Sequence, residues 1–491
     1  LLLRSLSMRK PQNVVAVASQ ISCRSLRDTS VRCSHGQVEC VELDVNGIVE
    51  QSQKICELLY SNPNSPVERL LAETPIVFSQ SLTFEVLKRL SNAGVLAVAF
   101  FRWSEKVKGI QHSVESYNAL INALGKIKQY NMAWNLVEEM KQKKLLGKET
   151  FALISRRYAR LRNIREAIWA FRRMEEFGLK MTSSDYNKLI DTLVKSRQVE
   201  AAQQVFDEMK NRKFKPDLKS YSILLEGWGK RKKLEKLEEV YSEIKREGFD
   251  LDVIAYGIIV HAYCRAKMVD KAIAMFREME AKGLKPTPHL YCSLISGLGE
   301  EKRLDEALRF FKQSSGNGLC LEVPNYNALV GAYCWSMRIH EAFHLIDEMK
   351  RLGIGPNART YDIILHHLIR VKRKGEAFDL FLSLEKPELS TYEIILRMFC
   401  KDRRTDMAIQ TWNMMKSKGI VPGKHMFFVL IDTLCGEKLL KDACFYFEEM
   451  LNVGIKPSAR VFSDLKQALI KDGNKKTASL LVCKIHKLRK T

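Results

Sequence analysis

An aromatic side chain recurs along the chain at near-constant intervals: Tyr117, Phe151, Tyr186, Tyr221, Tyr256, Tyr291, Tyr326, Tyr361, Tyr392, Phe427 and Phe462. The steps are 34 residues, then 35 six times, then 31, then 35 twice. Twenty residues behind runs a second column, through Val137, Phe171, Phe206, Tyr241, Phe276, Phe311, Ile346, Phe381, Trp412 and Phe447, mostly with Ala four residues before it. Within a unit the apolar positions have a helical period. Tyr186, Leu189, Ile190 and Leu193 form one stripe, and Ala202, Val205, Phe206 and Met209 form another, so each unit is predicted to be a helical hairpin. The recurrent Ala admits a close approach between helices. Gly seven residues past the second column (Gly178, Gly248, Gly283, Gly318, Gly353, Gly419, Gly454) and Pro three residues later (Pro216, Pro286, Pro356, Pro422, Pro457) end the second helix. One hairpin cannot bury both of its apolar faces, so the units must stack into a solenoid.

The irregularities fall into the same frame. The 31-residue step loses its four residues between Phe381 and Tyr392, which shortens a second helix or its loop. Residues 79–113 read as a degenerate capping unit, with Ala97 four residues before Phe101, and 114–458 as ten units. Residues 459–491 read as a partial unit with a basic tail.

Charge divides the chain further. Residues 1–38 hold Arg4, Arg9, Lys10, Arg24, Arg27 and Arg32 against Asp28, with seven Ser, the profile of a mitochondrial presequence. Residues 39–78 reverse the sign and contain the turn-prone SNPNSP, so they read as an acidic linker. The two segments cancel, and the repeats carry the whole net charge of +23. A solenoid of that charge suggests a polyanionic partner, foremost a nucleic acid.

No competing chemistry emerges. The longest apolar run, Val95 to Phe101, is too short to cross a bilayer. Of twelve cysteines, Cys264, Cys334, Cys400 and Cys435 each lie eight residues after their unit's aromatic, a position that implies buried packing; no C-x-x-C pair exists, so no metal site is expected. His366 and His367 are adjacent on a helix and diverge. Gly227-Trp228-Gly229 lacks the third glycine and the preceding strand of a dinucleotide loop. No cofactor is implied, and no acid, base and nucleophile gather in one place.

The segments TYDIILHHL, VPNYNALVGAYC, DEALRFF, KAIAMFREMEAKGLKP and ACFYFEEMLNVGIKP resemble units of the pentatricopeptide repeat family in its plain class of uniform 35-residue repeats. The resemblance covers 114–491. It implies an all-α, right-handed superhelical α-solenoid of helix-turn-helix repeats that binds single-stranded organellar RNA in its concave groove without catalysis of its own. Such binding would serve RNA stability, processing, splicing or translation in the mitochondrial matrix. Each repeat of the family reads one base through the residue after the first-helix aromatic and the last residue of the repeat. Carried over, the pairs are Asn187 with Asp217, Ser222 with Asp252, and Asn327 with Asn357, with implied preferences for uracil, guanine, and cytosine or uracil. The remaining pairs depart from the pattern. The position that wedges between bases holds Glu149, Ser184, Lys219, Ile254, His289, Pro324, Arg359, Ser390, His425 and Arg460, of which only Ile254 is a branched apolar residue. Lys219, Arg359 and Arg460 fit phosphates instead. The degenerate readers keep a second expectation open: a non-catalytic structural or adaptor subunit on the mitochondrial ribosome or another complex.

Overall fold

The computed structural model describes residues 45–490 apart from 63–64, 73–75, 77 and 317–320. The presequence expected over 1–38 lies outside the described residues. Every regular element among them is helical, and from Val114 onward the helices come in pairs, such as Ser183–Lys195 with Val199–Asn211 and Val253–Arg265 with Val269–Ala281. The chain is an α-solenoid.

The two aromatic columns predicted from the sequence are halves of one ladder. The second-column ring of each unit meets the first-column ring of the next, edge to face: Phe171 on Tyr186 at 5.1 Å, Phe206 on Tyr221 at 5.1 Å, Phe276 on Tyr291 at 5.4 Å, Phe311 on Tyr326 at 5.3 Å and Phe381 on Tyr392 at 5.2 Å. Each such pair contributes about 0.5–1.5 kcal/mol beyond its buried area, which is why the columns keep step. Several of the rings are tyrosines because their hydroxyls have somewhere to go. Tyr117, Tyr221 and Tyr256 donate to Glu139, Glu243 and Glu278, each 22 residues on. Phe101 continues the ladder onto Tyr117 at 5.0 Å, so the hairpin formed by Gln80–Arg89 and Gly94–Lys108 packs as a further unit.

First helices of neighbouring units also touch each other. A Cβ at Gly229 would lie 2.9 Å from the Ala262 Cβ, and one at Gly227 would lie 3.0 Å from Val194 and Val199. The glycine pair around Trp228 is thus a close-packing device.

Two segments and one cysteine differ from expectation. Residues 45–72, read as linker, contain the helices Val45–Ser61 and Val67–Ala72, whose Ile55, Leu59 and Leu71 are buried against the first hairpin. Their excess of acid hid an apolar stripe of helical period. The last segment is a whole hairpin, Ala459–Lys471 with Lys475–Lys490, in which Ala478 and Leu481 are buried. Of the aligned cysteines, Cys264, Cys334 and Cys400 are buried, but Cys435 is only half-buried. In the unit of 31 residues the deletion falls on the second helix, Lys374–Ser383, which has 10 residues where its counterparts have 13.

Both turn types close with a left-handed residue. After most second helices it is glycine, at Gly178, Gly248, Gly283, Gly353, Gly419 and Gly454, with Lys144 and Lys213 in the same place in two units; Gly318 lies outside the described residues. Between the helices of the last hairpin it is Gly473, but in the ten units before it this residue is not glycine. Lys128, Arg162, Arg197, Lys232, Lys267, Lys302, Met337, Lys372, Arg403 and Lys438 take φ between 57° and 65° there, eleven residues after each aromatic. Their amides close Schellman-type turns, as where Arg197 donates to the Val194 carbonyl and Gln198 to that of Leu193. A side chain in this conformation costs about 1–2 kcal/mol relative to the right-handed region.

Candidate nucleic-acid interface

Several depressions open on the first-helix face. The first, about 600 Å³, is lined by Arg156, Arg160 and Arg162 of one unit and Lys195 and Arg197 of the next, with Asp191 as the acid in its lining. Lys195 holds Asp191 at 2.7 Å, while Arg156, Arg160, Arg162 and Arg197 form no ion pair among the described residues. Crowding of like charge shows in their neighbours. Burial first, and then Arg160, hold the Arg157 guanidinium below its usual range; burial, Arg157 and Arg160 do the same to Lys126. The second depression, about 500 Å³, lies over Gly257, and the third, about 450 Å³, lies over Trp335, whose ring carries the Arg370 guanidinium at 3.4 Å.

The left-handed turn residues continue this charge along the array. Nine of the ten are Lys or Arg, all exposed, and only Arg403 has an acidic partner among the described residues, Glu437. Because glycine would sit there without strain, retained cations at strained backbone point to use of the charge. Changing Lys232, Lys267 and Lys302 together to glycine is expected to leave the melting temperature unchanged or slightly higher. Calorimetry checks it, and a drop of several degrees would mean that the side chains pack rather than protrude.

The sequence-predicted readers divide into two groups. Asn187 Nδ2 donates to Asp217 Oδ1 at 3.0 Å, and Asn187 Oδ1 accepts from the Ser220 hydroxyl at 2.6 Å. Asp217 is at the same time the N-cap of the next first helix, accepting from the Ser220 amide at 2.8 Å. Asn327 and Asn357 repeat the arrangement: Nδ2 of Asn327 lies 3.4 Å from Asn357 Oδ1, Thr360 donates to Asn327 Oδ1 at 2.6 Å, and Asn357 caps from the Thr360 amide. One residue therefore starts a helix and orients the preceding reader. Held at both ends, Asn187 is only 5% exposed, and its amide retains one N–H and one lone pair beyond these two bonds.

Ser222 and Asp252 are not brought together. The Ser222 hydroxyl turns back to the Leu218 carbonyl at 2.8 Å, and Asp252 only caps its helix through the Ala255 amide. Among the wedge positions, Ile254 is 68% exposed and Lys219 and Arg359 are exposed without acidic partners, whereas Arg460 pairs with Asp464 at 3.5 Å.

The hydroxyl latch was not read from the sequence. It stands one residue before the aromatic of the following unit, as Thr150 on Asn118, Ser220 on Asn187, Thr360 on Asn327 and Thr391 on Asp362. Where that position holds Ala255, Leu290, Met426 or Val461, the preceding reader has no latch. The column of Ser and Thr at the 35-residue step was its signal. Asp362 is overfilled: Ser390 and Thr391 occupy both carboxylate oxygens, at 2.7 and 2.8 Å, and the residue is buried.

Relatives agree with this architecture. Residues 182–230, 251–300, 322–370 and 387–436 match the PPR repeat family, and residues 115–145, 150–179, 219–249 and 289–319 match the PPR repeat, together more than half of the chain. A mitochondrial pentatricopeptide repeat-containing protein of Arabidopsis thaliana is 55% identical over 155 residues, covering 32% of this chain and 30% of the relative. A second from the same plant is 37% identical over 189 residues, covering 38% and 35%. The chain thus spans about a third of the length of the curated relatives it matches. Among solved structures, the pentatricopeptide repeat protein PPR10 from maize aligns with a TM-score of 0.41 and 20% identity over 90% of this chain and 73% of that one. By its repeats, their spacing and the match of the repeat models over more than half of its length, the chain belongs to the pentatricopeptide repeat family.

Proposed function

We propose that this protein binds single-stranded mitochondrial RNA along its first-helix face and acts on a transcript by sequestering it, without chemistry of its own. The observation that supports the reading best is the pair of latched amides, Asn187 and Asn327, each fixed in orientation on a first helix of an array that carries uncompensated cations. An amide free to rotate presents donor and acceptor equally and selects nothing; an amide clamped through both atoms offers one polarity to a base edge. The uncompensated cations supply affinity for any phosphate backbone, and the amides add discrimination at a few positions. The mitochondrial assignment agrees with the relatives' names and with the basic, Ser-rich composition of 1–38.

The test is equilibrium binding of the full chain to a pool of randomised 20-nucleotide RNA, compared with Ser220→Ala and Thr360→Val. Each variant is expected to lose about tenfold in preference at one position of the selected sequence, in keeping with about 1–3 kcal/mol per mismatched base, while total affinity falls less than threefold. Unchanged preference in both variants would sink the reading of these amides as base readers. The glycine triple variant of the turn residues should weaken all sequences alike and shallow the log–log salt dependence by about 2.

A further inference from the structure

The depression over Gly257 is the one place on the face where a reader position has no side chain. We infer that it is a binding site for a purine base, read by His261 in place of the missing reader; the inference rests on the RNA-binding reading above. A side chain placed on Gly257 would meet nothing within 4 Å, and the space it leaves is part of a depression of about 500 Å³. The exposed Ile254 borders it on one side and His289 on the other, the wedge residues of this unit and the next. A planar base entering between them finds an apolar side chain and an imidazole, the surfaces on which bases stack.

The polar group that meets the base is His261, one helical turn beyond Gly257. Its tautomer is set by its surroundings. Ser293 donates its single hydroxyl proton to the His289 carbonyl at 3.1 Å, so toward His261 Nδ1, at 3.3 Å, its oxygen can only accept. Nδ1 therefore carries the proton, and in the neutral ring Nε2, which has no partner among the described residues, is an acceptor. Partial desolvation first, then the charges of Arg265, His289 and Lys230, keep the ring below the usual histidine range and hence neutral near pH 7. An acceptor here is matched by an amino hydrogen on a base edge. With no side chain at Gly257, the depression that Gly257 and His261 share has room for the second ring of a purine. Thr287, also at the rim, supplies a hydroxyl that can serve either way.

The proposal is tested with the full chain and two fluorescent oligonucleotides, r(A)20 and r(U)20, adenine being preferred to guanine as probe because guanine runs self-associate. His261→Ala is expected to weaken r(A)20 about tenfold and r(U)20 less than twofold. Gly257→Asn, which fills open space and leaves the helix packing alone, is expected to shift the ratio the same way. Equal losses for both oligonucleotides, or no change in either variant, would overturn the site while leaving RNA binding intact. Failure of the unaltered protein to bind either oligonucleotide would overturn the RNA-binding reading itself, and the site with it. Melting curves of both variants verify that the fold is kept.

Discussion

Exchanging Arg156, Arg160, Arg162 and Arg197 for glutamine is expected to lower affinity for single-stranded RNA by two to three orders of magnitude at about 0.1 M salt. In a single strand each neutralised phosphate contributes about 0.7 to the log–log salt slope, so four lost contacts shallow it by about 3. These residues line one depression of about 600 Å³ and have no acidic partners among the described residues, so their charge is available to a ligand instead of being spent inside the protein. Contrast Arg212, which Glu175 holds at 3.0 Å; its replacement should hardly change the slope. The variant should fold at least as well as the original, because Arg160 is a source of the repulsion felt at Lys126 and Arg157. Salt titration of binding measures the slope. A slope that does not change would remove this depression from the interface and leave the other turn cations and the central units to account for affinity.

Much of the fold was legible because every unit must make the same contact with its neighbour. Tyr186 and Phe206 recur at the solenoid's period since each ring packs on the next unit's counterpart, and a one-dimensional array has no distant contacts to disguise the pattern. The helices over 45–72 escaped because their burial depends on a single partner hairpin and no repeat amplifies their stripe. At the site, Asn187 with Asp217 and Asn327 with Asn357 were readable from family spacing, but the pairing of Ser222 with Asp252 was not decided by spacing. A serine oxygen is within reach of its own helix's carbonyl, and that short bond wins. The turn cations were visible as a column, yet only the left-handed backbone gives them meaning, since a Lys in an ordinary exposed turn is unremarkable. His261 was invisible for another reason: its role follows from a residue that is absent, Gly257, and from a proton fixed by Ser293.

Trp412→Ala is expected to destabilise the C-terminal units by about 3–5 kcal/mol while leaving the central ones intact. Trp412 is fully buried and is the one tryptophan in a column otherwise held by smaller rings and aliphatic residues; it sits edge-on to Phe427 at 4.7 Å and Tyr446 at 5.4 Å. Its place follows the unit shortened to 31 residues, where Lys374–Ser383 lacks the last turn of a normal second helix. In a solenoid the loss propagates only through nearest neighbours. Amide hydrogen exchange should therefore accelerate in Leu389–Lys401, Thr405–Ser417, Lys424–Gly436 and Leu440–Asn452, and hold its rate in Ser183–Lys195. Uniform acceleration along the whole chain would mean that the array unfolds as one cooperative block. Trp412→Phe separates volume from polarity. The indole N–H is buried without a partner, a burden of about 1–3 kcal/mol that phenylalanine removes while opening a smaller void. These terms oppose each other, so the phenylalanine variant should melt within a few degrees of the original. A full loss on Trp412→Phe would show that the bulk of the indole is what the packing on Phe427 and Tyr446 requires.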